Sequence, residues 1–297
     1  MAGSVAAQDD LQQIVEDEAF LWGSEMRVDY HARAEREMDQ QWRDIIWPVL
    51  SKYNIDYSDA MDFACGHGRN AIKLSELAQR VTLVDVNPEN IAFCRERFIG
   101  DRYSFVVTSG YDLRAVADAS LSFIYSFDAM VHFDLAIVHA YVAEFARVLR
   151  PGGYGFIHHS NHASGFGCDF RQDPGWRHFN SAEIFASLCA RFGLEICEQK
   201  LLDWGAKDHD CLTVFRKPAT LRQVPPGDID QHWLRVLRVA QQARPHDELL
   251  RLSTQVQQLQ AESRALKSTR SWRITQPLRW GLGQVYWLRR WLFPFEP

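Results

Sequence analysis

The segment Asp62-Phe-Ala-Cys-Gly-His-Gly-Arg-Asn70 constrains this chain more than any other, because it joins an apolar, strand-like run to a helical one through a turn of small residues. Small residues at such a turn let backbone approach a ligand, and the N–H groups that open the next helix face it. Gly66 and Gly68 make a Gly-x-Gly, with Ala71 in the place of the third glycine of a dinucleotide fingerprint. That pattern alone fits a dehydrogenase equally well. Asp85 closes the next apolar run, Val-Thr-Leu-Val-Asp-Val-Asn-Pro, where a carboxylate can accept both hydroxyls of a ribose. Two independent features therefore point to an adenosine-type ligand.

The pattern around them is that of an α/β, doubly wound fold. Apolar positions from Tyr30 to Tyr53 (Ala34, Met38, Trp42, Ile45, Ile46, Val49, Leu50) recur at helical spacing and predict an amphipathic helix across the open end of a sheet. Short apolar runs then follow near Met61 to Ala64, Val81 to Val86, Tyr103 to Val107, Leu121 to Phe127 and Tyr154 to His158, with helical stretches between them. Strand and helix in series imply a parallel sheet covered on both faces. Leu-Arg-Pro-Gly-Gly153 closes a helix and admits the fifth strand. After an insertion, Ser160 to Asn180, and a helix over Ser181 to Phe192, two strand-like runs ending at Lys217 predict an antiparallel hairpin edge and complete seven strands.

The expected domains are an N-terminal helical cap over 1–57, a catalytic domain over 58–218, a linker over 219–227, a helical or coiled-coil segment over 228–268 and a basic, aromatic tail over 269–297. Leu249, Leu252, Val256, Leu259 and Leu266 fall on heptad positions, interrupted by Ser263, which gives the chain a way to pair with its own copies. The tail holds five arginines and four tryptophans against the single acid Glu296, a mixture suited to a membrane surface or to another protein.

Composition excludes more than it selects. A formal net charge of -5 offers no general attraction to phosphate backbones, so nucleic acid is not expected as a partner. The six cysteines lack a Cys-x-x-Cys pair and read as reduced core residues. The N-terminal stretch lacks the basic start and apolar run of a signal peptide, which places the protein in the cytoplasm, with the tail at the inner face of the membrane.

Beyond Asp62, Gly66, Gly68 and Asp85, the chain has Gly110-Tyr-Asp-Leu113 after the third strand and Leu-Arg-Pro-Gly-Gly before the fifth. With these, residues 60 to 217 resemble class I methyltransferases. The spellings CGHGRNA, DVNPENI, YSFDAMVHFD and RVLRPGGYGFIHHSN resemble bacterial enzymes found beside or fused to glycosyltransferases of surface polysaccharide (O-antigen) assembly. The stretch Ser268 to Arg279 is also similar to C-terminal segments of polysaccharide-assembly proteins.

The resemblance implies S-adenosyl-L-methionine as the cofactor. Asp62, Gly66 and Gly68 would shape the methionine pocket, Asp85 would hold the ribose, Gly110, Tyr111 and Asp112 would lie near the adenine, and Ala64, Val86 and Ser126 are further cofactor-contact candidates. Ala64 departs from the glycine of many relatives and narrows the pocket. The implied reaction is O-methylation of a sugar hydroxyl, with a glycosyltransferase as partner. A lipid-like or quinone acceptor, or a binding scaffold without catalysis, is the alternative.

An acceptor hydroxyl needs a base, and a histidine with a pKa near neutrality suits it. His132 and His159, with Asp128 beside the first, are the catalytic candidates, since their segments end at the carboxyl edge of the sheet where ligands bind. His158 and His159 alternate sides, so one at most faces the ligand. Asn161, Trp176 and Arg177 in the insertion, together with His158, are the acceptor-contact candidates. No metal is expected, although Asp128, His132 and His158 could form a divalent-ion set.

Overall fold

The computed structural model describes residues 11–22, 28–163, 171 and 175–219. The expectations for 220–297, which are the linker, the heptads and the basic tail, lie outside the described residues, as does part of the insertion. Among the described residues no helix is long and apolar enough to cross a membrane.

The sheet has seven strands in the order β3-β2-β1-β4-β5-β7-β6. These are β1 (Asp59–Phe63), β2 (Arg80–Asp85), β3 (Tyr103–Val107), β4 (Leu121–Ser126), β5 (Leu149–Ser160), β6 (Glu195–Trp204) and β7 (Ala206–Arg216). The first five pair in parallel. β7 runs antiparallel between β5 and β6, so the expected hairpin is present and β6 is the edge. Gly205, at φ 74, makes its turn. Every residue of β4 is buried, as a central strand covered on both faces requires.

Residues 11–18 form α1, followed by a 3-10 turn over Ala19–Trp22. The other helices are α2 (Val28–Gln41), α3 (Trp47–Leu50), α4 (Arg69–Leu77), α5 (Pro88–Arg97), α6 (Leu135–Val148) and α7 (Ala182–Arg191). The single helix expected from Tyr30 to Tyr53 is α2, a π-helical stretch Trp42–Ile46, and α3, ending at Leu50. The cause is Pro48, which lacks an N–H and whose ring opposes the carbonyl four residues back. The widened turn, with the Trp47 N–H on the Trp42 carbonyl, accommodates it.

β5 also starts earlier than expected, at Leu149, because α6 gives way directly to strand. Gly152, at φ 84, and Gly153 bond Lys217 across the ladder, and the register with β4 shifts there. Two apolar layers cover the sheet. One seats α6 and α7 through Tyr141, Phe145, Phe185 and Leu188; the other seats the π-helical stretch and α3 to α5 through Ile46, Leu50, Leu74 and Ile91, packed with Phe123 of β4. Their consequence for function is rigidity at the carboxyl ends of β1, β2 and β4, where the loops converge.

Candidate active site

A cleft lies over those strand ends, with ≈ 1100 Å³ of empty space, the open solvent at its mouth included.

Its floor is the glycine turn. Ala64, Gly66 and Gly68 all adopt positive φ (54, 54 and 72), so the chain alternates into the left-handed region after β1. Ala64 does so without the freedom of glycine, a strain of roughly 1–2 kcal/mol that local packing must offset. Gly66 donates its N–H to Asp85 Oδ2 at 2.8 Å. The other oxygen accepts from Asn87 N at 2.9 Å and Asn90 Nδ2 at 3.1 Å. Burial raises the Asp85 pKa, and those backbone and amide donors oppose the rise. The carboxylate is thus fixed in a wall of the cleft.

Beside it, at the end of β3, are Thr108 and Gly110, with Thr108 N on the Asp85 carbonyl at 3.0 Å. A Cβ at Gly110, φ 94, would stand 2.5 Å from Val15 Cγ1 of α1, so only glycine lets the N-terminal helix close over that wall. Behind the turn, Asp62 is buried and its Oδ2 has no hydrogen-bond partner; burial pushes its pKa up to about 8. A clamped carboxylate, the open backbone of the glycine turn and of Gly110, and a buried acid behind the turn suit an adenosine-type ligand.

Not every cofactor candidate reaches this space. Ala64, Gly66, Asp85, Val86 and Gly110 line the cleft. Gly68 instead packs against α5 and β2, where a Cβ would meet Phe98 at 2.6 Å and Leu83 at 3.0 Å. Tyr111 packs on the core, Asp112 bonds Arg114, and Ser126 Oγ is buried away from the cleft lining.

The other half of the cleft is built around Asp128 and His132, after β4. Asp128, at φ 59, accepts from Tyr30 Oη at 2.8 Å and Arg69 NH2 at 3.0 Å. Burial would raise its pKa, but Arg69, His158, His132 and the Tyr30 bond hold it below the ordinary carboxylate value. Arg69 spends its other nitrogen on the Ala34 carbonyl and Gln41. His132 sits in the 3-10 turn Met130–His132, with its ring stacked 4.0 Å from Trp22 and Nδ1 2.7 Å from the Trp176 carbonyl. A carbonyl oxygen only accepts, so Nδ1 carries the hydrogen and Nε2 the lone pair. Burial, with Arg177 nearby, lowers the pKa of this ring to about 4, so it is neutral at ordinary pH.

The remaining candidates are corrected by their surroundings. His159 is buried off the cleft, with Nδ1 on the Ser160 carbonyl, Nε2 on Thr213 Oγ1 at 2.8 Å and its face on Phe185. Both nitrogens are used, and pleating along β5 sends it opposite to His158. His158 is wholly buried between Asp128 and Asp210. Asn161 bonds the Asp208 carbonyl and the Ala182 N–H at the start of α7. Arg177 is buried on Asp210, and Trp176 meets Trp22 edge to face at 5.8 Å. Because Asp128 and His158 are spent on these partners, they form no ion cage with His132. Among the described residues no group of three His, Cys, Asp or Glu side chains is placed to hold a metal.

Tyr30, Arg69, Trp22 and Asp210 were missed from sequence. They carry no motif; only Arg69, beside the glycine turn, stood near a signal.

Residues 60–153 match the model of a methyltransferase domain. Nodulation protein S of Rhizobium tropici is 27% identical over 182 residues, 58% of this chain and 69% of the relative. A fatty-acid O-methyltransferase of Mycolicibacterium smegmatis is 31% identical over 112 residues, 36% of this chain and 38% of the relative, so the chain spans well under half of that protein. Among solved structures, the PH0226 protein of Pyrococcus horikoshii is similar at a TM-score of 0.48 and 18% identity, over 66% of this chain and 95% of that one. The [4+2]-cyclase SpnF is similar at 0.49 and 17%, over 63% and 82%. Over residues 60–153 the chain is therefore similar to a methyltransferase domain, and the cofactor that this likeness implies is S-adenosylmethionine.

Proposed function

We propose that the chain methylates a hydroxyl group of a sugar-like acceptor, with His132 as the general base. The observation that carries this reading is the His132 tautomer: Nδ1 is held by the Trp176 carbonyl in a residue that lines the cleft. Nε2 is then the free base of a ring that stays neutral at ordinary pH.

S-adenosylmethionine supplies an activated methyl group on a sulfonium, which needs an aligned acceptor and a proton acceptor. Asp85 would hold the ribose hydroxyls, and the backbone of Ala64 to Gly66 and of Gly110 would take the rest of the cofactor. His132 Nε2 would accept the proton of the acceptor hydroxyl, and Tyr30 and Asp128 line the same part of the cleft. Trp22 and Tyr30, flat rings with a polar edge, line the same end and suit a sugar ring. In this reading stretch 269–297 brings the enzyme to the cytoplasmic face of the membrane beside a glycosyltransferase, and the heptads of 228–268 pair copies of the chain.

A lipid-like acceptor is the second reading. It is favoured by the apolar wall of Ile14, Val15, Phe133 and Ile137, and by the fatty-acid O-methyltransferase among the relatives. Incubation with methyl-labelled S-adenosylmethionine and parallel panels of glycans and fatty acids separates the two. Label on glycan, lost in His132→Ala with cofactor affinity kept, is the expected result. Label on lipid alone, or full turnover without the imidazole, overturns it.

A further inference from the structure

We propose that Asp210 is a positioning residue for the acceptor half of the cleft, fixing through two buried arms the tautomer of His132 and the backbone of Asp128. This rests on the reading of His132 as the base.

Asp210 lies on β7 with no exposed surface and receives three donors. Arg177 Nε reaches Oδ1 at 3.0 Å, while Arg177 NH2 and His158 Nε2 reach Oδ2 at 2.7 and 3.0 Å. The first arm runs through His158. With Nε2–H donated to the carboxylate, Nδ1 is bare and accepts the Asp128 N–H at 3.1 Å. The opposite tautomer would set two N–H groups against each other. The arm thus pins Asp128 in its left-handed conformation, where its carboxylate meets Tyr30 and Arg69.

The second arm runs through Arg177. Its bidentate grip on Asp210 and the bond from NH1 to the Gly175 carbonyl at 2.5 Å anchor the returning end of the insertion. Trp176, the neighbour of that arginine, is held at φ 56, a conformation that few side chains adopt, with its carbonyl on His132 Nδ1. His178 N bonds the Val131 carbonyl and ties the same segment to the His132 turn.

Both arms therefore end on the loop Asp128–His132, and each holds a non-glycine residue in the left-handed region. An ion pair kept only for stability has no need of two such residues at its ends; strained backbone held from several sides marks a functional site. Asp210 touches neither the cleft nor the reacting atoms, so its effect is expressed through His132.

The test is nitrogen NMR on histidine-labelled, full-length protein loaded with S-adenosylhomocysteine, with His132→Gln to assign the ring. Wild-type His132 is expected as the Nδ1–H tautomer. In Asp210→Asn the two nitrogens move toward averaged shifts, with S-adenosylhomocysteine affinity within about threefold of wild type and acceptor turnover lower by roughly ten- to a hundredfold at unchanged KM. Should Asp210→Asn fail to fold around the lone arginine, Asp210→Asn with Arg177→Met leaves no buried charge and makes the same prediction.

An unchanged Nδ1–H signal in a variant that binds S-adenosylhomocysteine overturns the proposal, as does an Nε2–H tautomer in the wild type. Full activity of His132→Ala, with the tautomer still dependent on Asp210, would instead overturn only the reading of His132 as the base.

Discussion

The two halves of the cleft are held in different ways. The half proposed to hold the cofactor is local: Asp62, the glycine turn, Asp85, Asn87, Asn90 and Gly110 come from three successive strand ends, and Asp85 is fixed by backbone and amide groups close to it in sequence or on the adjoining strand. The half proposed to take the acceptor is assembled from a distance: Trp22 and Tyr30 precede the sheet, Arg69 opens α4, Asp128 and His132 follow β4, and His158 on β5, Arg177 in the insertion and Asp210 on β7 complete it. A donor common to a family can be gripped by a short motif. An acceptor particular to one chain calls for side chains gathered from across the fold.

The largest effect separates the halves by function. His132→Ala is expected to lower turnover by about 10²–10⁴-fold, the usual worth of a positioned base, while calorimetry finds cofactor affinity unchanged. A comparable loss of cofactor affinity would break the division. Asp85→Ala should do the reverse and weaken S-adenosylhomocysteine binding by about 10–100-fold, as expected for hydrogen bonds to a charged group worth about 1.5–3 kcal/mol.

A third expectation concerns pH. Burial lowers the pKa of His132 and of His159 to about 4, so both are neutral when folded while their unfolded counterparts titrate near 6.5. A depressed folded value means stability that is complete above the unfolded pKa and declines as pH falls from about 6.5 to about 4. For two such rings the slope is on the order of 2–3 kcal/mol per pH unit, measurable by urea denaturation. His159→Gln should reduce that slope without touching the chemistry, because His159 belongs to the core beside Phe185 and not to the cleft. The smallest effect sharpens the view of the cofactor floor. Ala64→Gly relieves a left-handed alanine at the cost of a more flexible unfolded chain, and should raise the melting temperature by a few degrees at most.

What could be read from the sequence follows the same line. The succession of strands up to β5, the glycine turn and Asp85 were legible because periodicity and turn chemistry are local signals, whereas the order of the strands in the sheet was not. The hairpin β6–β7 was legible as an edge, but the position of β7 inside the sheet depends on pairing with β5, which no local pattern encodes. His158 and His159 show the limit most clearly. Alternation told that they face opposite sides, and only the structure revealed that Asp210 and Thr213 claim one each. Arg177 and Asn161 looked like cleft contacts because they lie in a polar insertion, and burial against Asp210 and the start of α7 gives them other work. Tyr30 and Asp210, the outermost members of the acceptor network, are isolated residues in unremarkable helix and strand patterns.

The most direct test is calorimetric titration of wild type, His132→Ala and Asp85→Ala with S-adenosylhomocysteine, with NAD as the control ligand. The account requires binding of equal strength in wild type and His132→Ala, clear weakening in Asp85→Ala, and none with NAD. Absence of binding to the wild type, or a loss in His132→Ala as large as that in Asp85→Ala, would contradict a cleft divided into a local cofactor half and a distant acceptor half.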